Sequence, residues 1–580
     1  MWIIEDDCPH AVSSHTSWNF DLESGCPLWH PLFALNEYSI MKDKHMKVKQ
    51  IAAIGALVGL TSIAIAAQVR TQDQTMLAQA TVAQAIETPS SRATATSTTK
   101  SATVGAPITI SVPAGARQTF GGFGASTGNW ENEYQSLTSA QRAQLSRMAW
   151  RDLNFKIFRL WFNVDQYSPT RGAHDLTQFR NQYIRSGLIA DAKANGVTTL
   201  VLAPDHIPPY MRESDKADGP INDSEMENFV TLVAEAIRDL KNEDGITIHA
   251  TGIENEPDMT PGQIVRGVKR LRVELDARGL QSVKIIASEA SSADDRFYSQ
   301  MDAVKADAEA WNVLDAISTH SYNMAATDKA ASYVAGADGR NTKEYWMTEA
   351  SDNGPEEEGM AGVPAIRAAS LSARFLNDMN HRVTHWVHFL GAEATKAPYT
   401  DDATRIIAYE PKPFRLKVMK KYYTYQQLSR TFDVGAVFRD SQSSLDGDMT
   451  WTFGKKPHLF AATAQNPDGS WSTGICNFTA DSFLNVQGWG DDKWNVEQGG
   501  QTPAQTFRVT LRVDELKNRA AVPFVVHRTN ETLKNAKAET VTMKNGEVTI
   551  TVAPLELVTL RSAASTTPAK VTGKLASAVS

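Results

Sequence analysis

Residues 246–257, ITIHATGIENEP, are a short apolar run that ends in Glu254 and Glu256. Seven more apolar runs of similar length occur between Phe120 and Phe432, and stretches with helical spacing separate them. Eight strands that alternate with helices predict an α/β fold, and they favour a (β/α)8 TIM barrel over an open, doubly wound sheet. The predicted strands are Phe120–Phe123, Phe155–Leu160, Thr198–Ala203, Ile246–Ile253, Val283–Ser288, Ala316–His320, Glu344–Thr348 and His385–Phe389.

Helix starts carry a recognisable pair of side chains. A hydroxyl residue followed three positions later by Glu or Gln forms a capping box, because each side chain satisfies a free backbone N–H group. Gly279 is suited to end one of these helices, since glycine tolerates the left-handed conformation. The predicted boxes are Thr138–Gln141, Ser224–Glu227 and Thr260–Gln263.

The pattern changes after Phe432. Runs such as Phe507–Val513 and Glu547–Val552 alternate with period two and are separated by turn residues, which is typical of a β-sandwich. Ile108–Val112 also alternates and is expected to pair with this sandwich. We therefore predict a catalytic barrel over residues 118–432 with an attached β-sandwich side domain made from residues 105–117 and 433–562.

An uncharged segment, residues 51–67, follows several lysines and ends in Ala64-Ile65-Ala66. This pattern predicts a secretory signal peptide over residues 46–67, with a single membrane anchor as the alternative. Since a signal peptide begins near the N-terminus, we expect translation to start at Met41 or Met46, so that residues 1–45 are an extension that is not made. Residues 68–104 and 563–580 have the composition of a flexible linker and a flexible tail.

Composition excludes several classes of protein. The 580 residues are 42% hydrophobic and 21% charged, which excludes a wholly disordered chain and a polytopic membrane protein. The net charge is −8, and no long basic run is present, so nucleic-acid binding is not expected. Three cysteines cannot form a disulfide scaffold, and the processed chain would keep only Cys476.

Two predicted strands end in glutamates. The fourth runs into Asn255-Glu256-Pro257 and the seventh into Glu349. Side chains at the C-terminal ends of barrel strands face the active site, so these two carboxylates can meet across the barrel mouth. A pair about 5–5.5 Å apart is what retaining glycosidases use as nucleophile and acid/base.

Five segments together resemble glycoside hydrolase family 30, a family of retaining (β/α)8 hydrolases, and the resemblance runs from about Ile108 to Leu560. Asn-Glu-Pro alone is shared across the whole clan of such hydrolases, but the five segments in order are specific. They are Phe120–Ser126 (FGGFGAS), Ala203–Arg212 (APDHIPPYMR), Asn255–Asp258 (NEPD), Thr348–Ala350 (TEA) and Tyr423–Ala436 (YTYQQLSRTFDVGA).

The resemblance implies a role for each polar residue. Glu256 would be the general acid/base, protonated at the start of the reaction, and Glu349 would be the ionised nucleophile. Arg159 would hold Glu349 ionised by pairing with it. Asn255 would hydrogen-bond the 2-hydroxyl of the sugar.

Other side chains are expected to line the substrate pocket. In the fold that the resemblance implies, His320 and Tyr322 face the site, with Tyr322 near Glu349. His206 stands in Asp205-His206, where the family has Trp-Ser, and so changes one wall. On strand eight, Trp386 and Phe389 compete for the usual aromatic place. Flat aromatic side chains suit sugar rings, and the candidates are Trp130, Trp161, Tyr210 and Trp386.

We therefore expect an exported retaining β-glycoside hydrolase that cleaves a neutral β-linked glycan, of the endo-β-1,6-galactanase, endo-β-1,6-glucanase or xylanase type. The acidic run Glu356–Glu358 argues against an anionic substrate. No cofactor or metal is expected, because His385 and His388 would point to opposite faces of a strand. The expected partner is an oligosaccharide or polysaccharide, with no nucleic acid, no membrane contact after signal cleavage, and a monomeric chain.

Two alternatives remain open on the sequence. An exo-acting relative, such as a β-xylosidase or a β-glucuronidase, would share both glutamates. A carbohydrate-binding protein without catalysis would not need Arg159 and Asn255 beside them.

Overall fold

The structure is a computed structural model that describes most of the chain from Thr103 onward. The expected signal peptide and the acidic run Glu356–Glu358 lie outside the described residues. Within the described residues, no helix is both long and apolar enough to cross a membrane. The described residues are 18–20, 27–29, 103–127, 133–214, 220–322, 324–351, 363–395, 404–445, 459–480 and 504–564.

Eight parallel strands form a closed barrel in the order of the sequence, and the last strand pairs with the first. The predicted barrel is therefore confirmed, and closure excludes the open sheet. The strands are β1 (Gly122–Ser126), β2 (Ile157–Asn163), β3 (Thr199–Asp205), β4 (Ala250–Thr251), β5 (Lys284–Ala290), β6 (Ala316–His320), β7 (Glu344–Glu349) and β8 (His385–His388).

Apolar side chains fill the barrel interior. One inward residue from each of β2 to β8 joins a single buried cluster, so the barrel is a packed core. The neighbouring residues on each strand point outward and pack beneath the helices in a larger core. Beyond this apolar layer, polar side chains occupy both ends of the barrel: Lys284, Glu344 and His385 at the N-terminal ends of the strands, and the candidate site at the C-terminal ends. The interior cluster consists of Ile157, Val201, Ala250, Ile286, Ala316, Trp346 and Val387.

Helices follow most strands. The longer ones are α1 (Ser139–Ser146), α2 (Met226–Asp244), α3 (Pro261–Ala277), α4 (Asp295–Ala306), α5 (Val363–Asn380) and α6 (Lys420–Thr431). The shorter helical segments are Tyr134–Ser136, Arg147–Asp152, Val164–Tyr167, Thr177–Phe179, Arg180–Arg185, Leu188–Ala194, Pro209–Met211, Asp223–Glu225, Ala308–Val313, Asp328–Val334 and Asp514–Leu516.

Two of the three predicted capping boxes are confirmed. Thr138 and Thr260 each accept from the backbone N–H three residues on, and the glutamines there accept from the cap backbone. Gly279 follows α3 with φ +69°, as predicted. The box at Ser224 is wrong. A short 3-10 helix occupies Asp223–Glu225. Helix α2 therefore begins directly after it, at Met226, and no side chain caps its first turn.

Two further sheets face each other and form the β-sandwich. Ile108–Val112 pairs in parallel with Gln505–Val513, so a strand from before the barrel lies in a sheet made after it. One sheet holds Val437–Arg439, Leu459–Gln465, Trp471–Asn477, Glu556–Ser562, Val522–Thr529 and Ala536–Met543. The other holds Gln442–Ser443, Ile108–Val112, Gln505–Val513 and Glu547–Val552, with Thr103–Val104 at Gln505–Val513.

Smaller sheets complete the described strands. Ala392–Ala394, Ile407–Pro411 and Phe414–Val418 form a three-stranded sheet after β8. Trp18–Phe20 and Pro27–Trp29 form an antiparallel pair.

The central strands of the six-stranded sheet, Leu459–Gln465, Trp471–Asn477 and Glu556–Ser562, are buried on both faces. The inner face of this sheet joins an apolar core with the second sheet. Its outer face packs on α5, where Cys476 and Phe438 join the same core as Phe375 and Leu376. An added Cβ at Gly474 would lie 2.7 Å from Leu376 Cδ2, so the sheet and the helix approach as closely as glycine allows.

Thr260 and Ser224 give a matched test of helix capping. We expect Thr260→Ala to lower the free energy of unfolding by about 1 kcal/mol, because the mutation removes a cap that the structure shows. Ser224→Ala should leave it unchanged within about 0.5 kcal/mol, since that side chain caps nothing. Denaturant midpoints of the two variants check this, and an equal loss in both would contradict it.

Candidate active site

Glu256 and Glu349 lie together at the barrel mouth. Glu349 is the last residue of β7, and Glu256 follows β4 by five residues. One carboxylate oxygen of each glutamate and one ring nitrogen of His320 all lie within 4.8 Å of one another. Strands that are far apart in the sequence thus bring two acidic side chains to one point.

Glu349 is held at both carboxylate oxygens. Arg159 Nη1 donates to Oε2 at 2.8 Å, and the Tyr322 hydroxyl donates to Oε1 at 2.5 Å. The side chain of Glu349 is 1% exposed. Burial, together with the carboxylates of Glu349 and Glu256, raises the pKa of Tyr322 well above its usual value, so this hydroxyl stays protonated and remains a donor.

Arg159 lies at the centre of the polar cluster and is fully buried. Its Nη2 donates to Asn255 Oδ1 at 2.6 Å and to Glu289 Oε2 at 3.2 Å. Burial alone would lower the pKa of Arg159, but the charges of Glu289 and Glu349 outweigh it and raise the pKa. The guanidinium is therefore a fixed positive charge that organises three strands.

Glu256 has a different environment from Glu349. Its Oε1 lies 2.8 Å from Nδ1 of His320, which is fully buried at the end of β6. The side chain is 11% exposed, so one part of it meets solvent. Glu256 adopts φ +47°, a left-handed conformation that costs a non-glycine residue about 1–3 kcal/mol.

Glu289, which the sequence analysis missed, belongs to the same cluster. It lies one residue before the end of β5, is 1% exposed and has φ +65°. Its Oε1 accepts from the Thr348 hydroxyl at 2.7 Å, in addition to the contact with Arg159. The sequence signal that could have identified Glu289 was its position, because it directly follows the predicted strand Val283–Ser288.

Two predicted pocket residues lie on the wall formed after β2 and β3. The His206 ring lies 3.8 Å from Asp165 and 3.6 Å from Asp205. The Tyr210 hydroxyl lies 2.6 Å from Ser168 Oγ, and its ring is partly buried against the core. Trp130 lies outside the described residues.

The prediction for Trp386 is corrected by the structure. Val387 points into the barrel, so Trp386 points outward, where it is fully buried against Phe123 and Phe375. Its indole Nε1 donates to Asp378 at 2.9 Å. A side chain enclosed in this way cannot stack on a sugar.

Phe389 directly follows β8. Its ring meets Trp161 edge to face at 5.9 Å, and the Arg159 guanidinium lies 4.7 Å from the Trp161 ring. These two aromatic residues therefore border the charged cluster. Trp161, a candidate from the sequence, is 2% exposed.

The same cluster is also the candidate for binding a metal ion. Among the described residues, one group could offer three ligand atoms to an ion: Glu256, His320 and Glu349. Both oxygens of Glu349 already accept from Arg159 and Tyr322, and the guanidinium adds a positive charge beside any bound cation. These side chains therefore suit a direct reaction of the two carboxylates with a substrate better than they suit a bound metal ion.

The sequence matches a family model described as glycosyl hydrolase family 59 over residues 180–427, a span that includes both glutamates. A search of curated proteins gives no match.

Solved structures match over 78% of the chain. The catalytic domain of family 30 xylanase C from Talaromyces cellulolyticus is 15% identical over its full length, with a TM-score of 0.55. An endo-β-1,6-glucanase is 16% identical over 94% of its length, with a TM-score of 0.53. A conserved exported protein from Bacteroides fragilis is 11% identical over its full length, with a TM-score of 0.55.

The matched family model indicates a glycoside hydrolase. At such identities the solved structures show the shared barrel fold with side domains. The matched family model is that of family 59, whereas the motifs pointed to family 30.

Proposed function

We propose that this chain is a clan A glycoside hydrolase, an exported retaining β-glycosidase of the family 30 type that cleaves a neutral β-linked glycan. The observation that carries the proposal is the separation of the two carboxylates, whose nearer oxygens lie within 4.8 Å. Retaining enzymes place the pair about 5–5.5 Å apart, while inverting enzymes need about 6.5–9.5 Å to fit a water molecule between them. The short separation supports direct attack on the sugar.

Different surroundings support different roles for the two carboxylates. Glu349 accepts from a guanidinium and a hydroxyl, which favours the ionised form that a nucleophile needs. Glu256 lies against the His320 ring and is partly exposed to solvent, which suits a group that must gain and lose a proton.

The reaction then runs in two displacements. Glu349 attacks the anomeric carbon while Glu256 protonates the departing oxygen, giving a covalent glycosyl-enzyme. Glu256 next removes a proton from water, which attacks the same carbon and releases the sugar. Asn255 Oδ1 is held by Arg159, so the amide nitrogen is the group that donates to the 2-hydroxyl.

The charge of the site supports a neutral substrate. Glu289 and Glu349 are both paired with Arg159, and Glu256 lies close to Glu349. A substrate carboxylate at this position would meet net negative charge. We therefore favour neutral hexosyl or xylosyl chains over uronates.

Nucleophile and acid/base can be distinguished by azide rescue. We expect Glu349→Ala to lower kcat by about 10⁴-fold or more, because the covalent route is lost. Added azide should restore turnover and give a glycosyl azide of the opposite anomeric configuration to the substrate. In Glu256→Ala, azide should instead attack the glycosyl-enzyme and give an azide of the same configuration.

Glu344→Gln is the matched control for this experiment, since Glu344 lies at the other end of β7, paired with Lys284. It should keep wild-type turnover. A Glu349→Ala protein with full activity would overturn the mechanism.

A polysaccharide panel tests the substrate class. We expect hydrolysis of β-1,6-galactan, β-1,6-glucan or unsubstituted xylan, and at least tenfold slower hydrolysis of a uronate-bearing xylan, because of the negative site. Oligomeric early products would indicate endo action, and single sugars the exo alternative. NMR of the first product should show a β anomer, and faster cleavage of the uronate-bearing chain would contradict the proposed class.

Export is proposed from the sequence of residues 46–67. N-terminal sequencing of the protein recovered outside the cytoplasm should give a first residue just after the Ala64-Ile65-Ala66 pattern, near Gln68. A mature chain that still carries residues 51–67 would indicate a retained anchor instead.

A further inference from the structure

Glu289 is a buried carboxylate that the two-glutamate mechanism does not use. Its side chain is 2% exposed, and its two oxygens have different partners. Oε2 accepts from Arg159 at 3.2 Å, and Oε1 accepts from the hydroxyl of Thr348 at 2.7 Å. Thr348 directly precedes Glu349, and Arg159 donates to Glu349, so Glu289 contacts both supports of the nucleophile.

The backbone of Glu289 contacts the other catalytic candidate. Its carbonyl oxygen accepts from the N–H of Glu256 at 3.0 Å. One residue on β5 therefore connects to the nucleophile through its side chain and to the acid/base through its main chain.

The chain conformation around Glu289 is adapted to this arrangement. Glu289 has φ +65°, in the left-handed region that L-residues rarely adopt. Gly252, just after β4, leaves room for it, because an added Cβ there would lie 2.9 Å from Glu289 Cγ. A left-handed glutamate and an adjacent glycine together place the carboxylate beneath Arg159.

We propose that Glu289 is a positioning residue that sets the geometry and the charge of the catalytic pair, an inference that rests on the proposed function. Its carboxylate shares the Arg159 guanidinium with Glu349. Its other hydrogen bonds hold the Thr348 hydroxyl and the backbone N–H of Glu256 in place. The ionisable groups that face this cluster are Arg159 from β2, Glu256 after β4, His320 and Tyr322 from the end of β6, and Glu349 from β7.

The direction in which the Glu289 charge affects the ionisation of Glu349 can be predicted. A negative neighbour opposes ionisation of Glu349, and it also takes part of the stabilisation that Arg159 offers. Removing that charge should make Glu349 easier to ionise. A residue that served packing alone would not change this balance.

Glu289→Gln is the main test, because it keeps the shape and removes the charge. We expect kcat/KM to fall about 10- to 100-fold, since the amide oxygen is a weaker acceptor for Arg159 than a carboxylate, and an NH₂ facing Thr348 makes that hydroxyl accept instead of donate. The acid limb of the kcat/KM–pH profile should move down by about one pH unit. Glu289→Asp, which restores the charge, should return the limb toward its wild-type position.

Controls separate positioning from folding. Gly252→Ala displaces the Glu289 side chain but keeps its charge, so it should lower kcat/KM and move the acid limb less than Glu289→Gln does. It also keeps the proposal testable if Glu289→Gln does not fold. Glu344→Gln removes a carboxylate at the far end of β7 and should change neither quantity. An unchanged acid limb in folded Glu289→Gln overturns the proposal.

A readout without turnover distinguishes failure of this inference from failure of the proposed function. In protein labelled with ¹³C at glutamate side chains, the Glu349 signal is assigned by its loss in Glu349→Gln. Its titration should shift to lower pH in Glu289→Gln, whether or not any substrate has been found. If the titration does not move, Glu289 does not set the charge of the pair, even where the azide experiment succeeds.

Discussion

The buried guanidinium of Arg159 is the constraint on which the site depends. A charge removed from water costs several kcal/mol unless close partners compensate for it. Here the partners come from three other parts of the barrel: Glu349 on β7, Glu289 on β5 and Asn255 after β4. The guanidinium also lies over the face of Trp161. Because each partner is needed to keep the charge buried, the relative positions of the strand ends follow from this one side chain.

The same constraint explains why the candidate catalytic residues lie at the C-terminal end of the barrel. Below Arg159 the interior is filled by aliphatic residues and Trp346, which could not satisfy a charge. At the C-terminal ends, the strands supply the donors and acceptors that the apolar layers lack. Stability is thus built in the lower part of the barrel and chemistry in the upper part.

Much of this arrangement was predictable from sequence because it depends on local patterns. All eight strands lie where apolar runs predicted them, and the caps at Thr138 and Thr260 form as expected. Features that depend on three-dimensional context were not predictable. Ser224 has the capping spacing, but a 3-10 turn precedes α2. The outward direction of Trp386 depends on which alternate residues of β8 face the barrel axis.

Glu289 escaped prediction for a related physical reason. Its carboxylate reaches Arg159 because the backbone turns to a left-handed φ beside Gly252, and neither propensity nor periodicity signals such a turn in a glutamate. The cluster around Arg159 also shows why a motif is a partial description of a site. The two motifs, Asn255-Glu256-Pro257 and Thr348-Glu349, contain only the two ends of the hydrogen-bond network. A residue of β5, which belongs to neither motif, connects these ends.

The pairing of Ile108–Val112 with Gln505–Val513 has a consequence for how the chain is made. A ribosome produces the first strand of the sandwich nearly four hundred residues before its partner. That strand must wait, without a sheet to join, while the entire barrel is synthesised. Completion of the molecule is therefore a late event that joins its two ends, and a nascent chain interrupted at the barrel would carry an exposed strand edge.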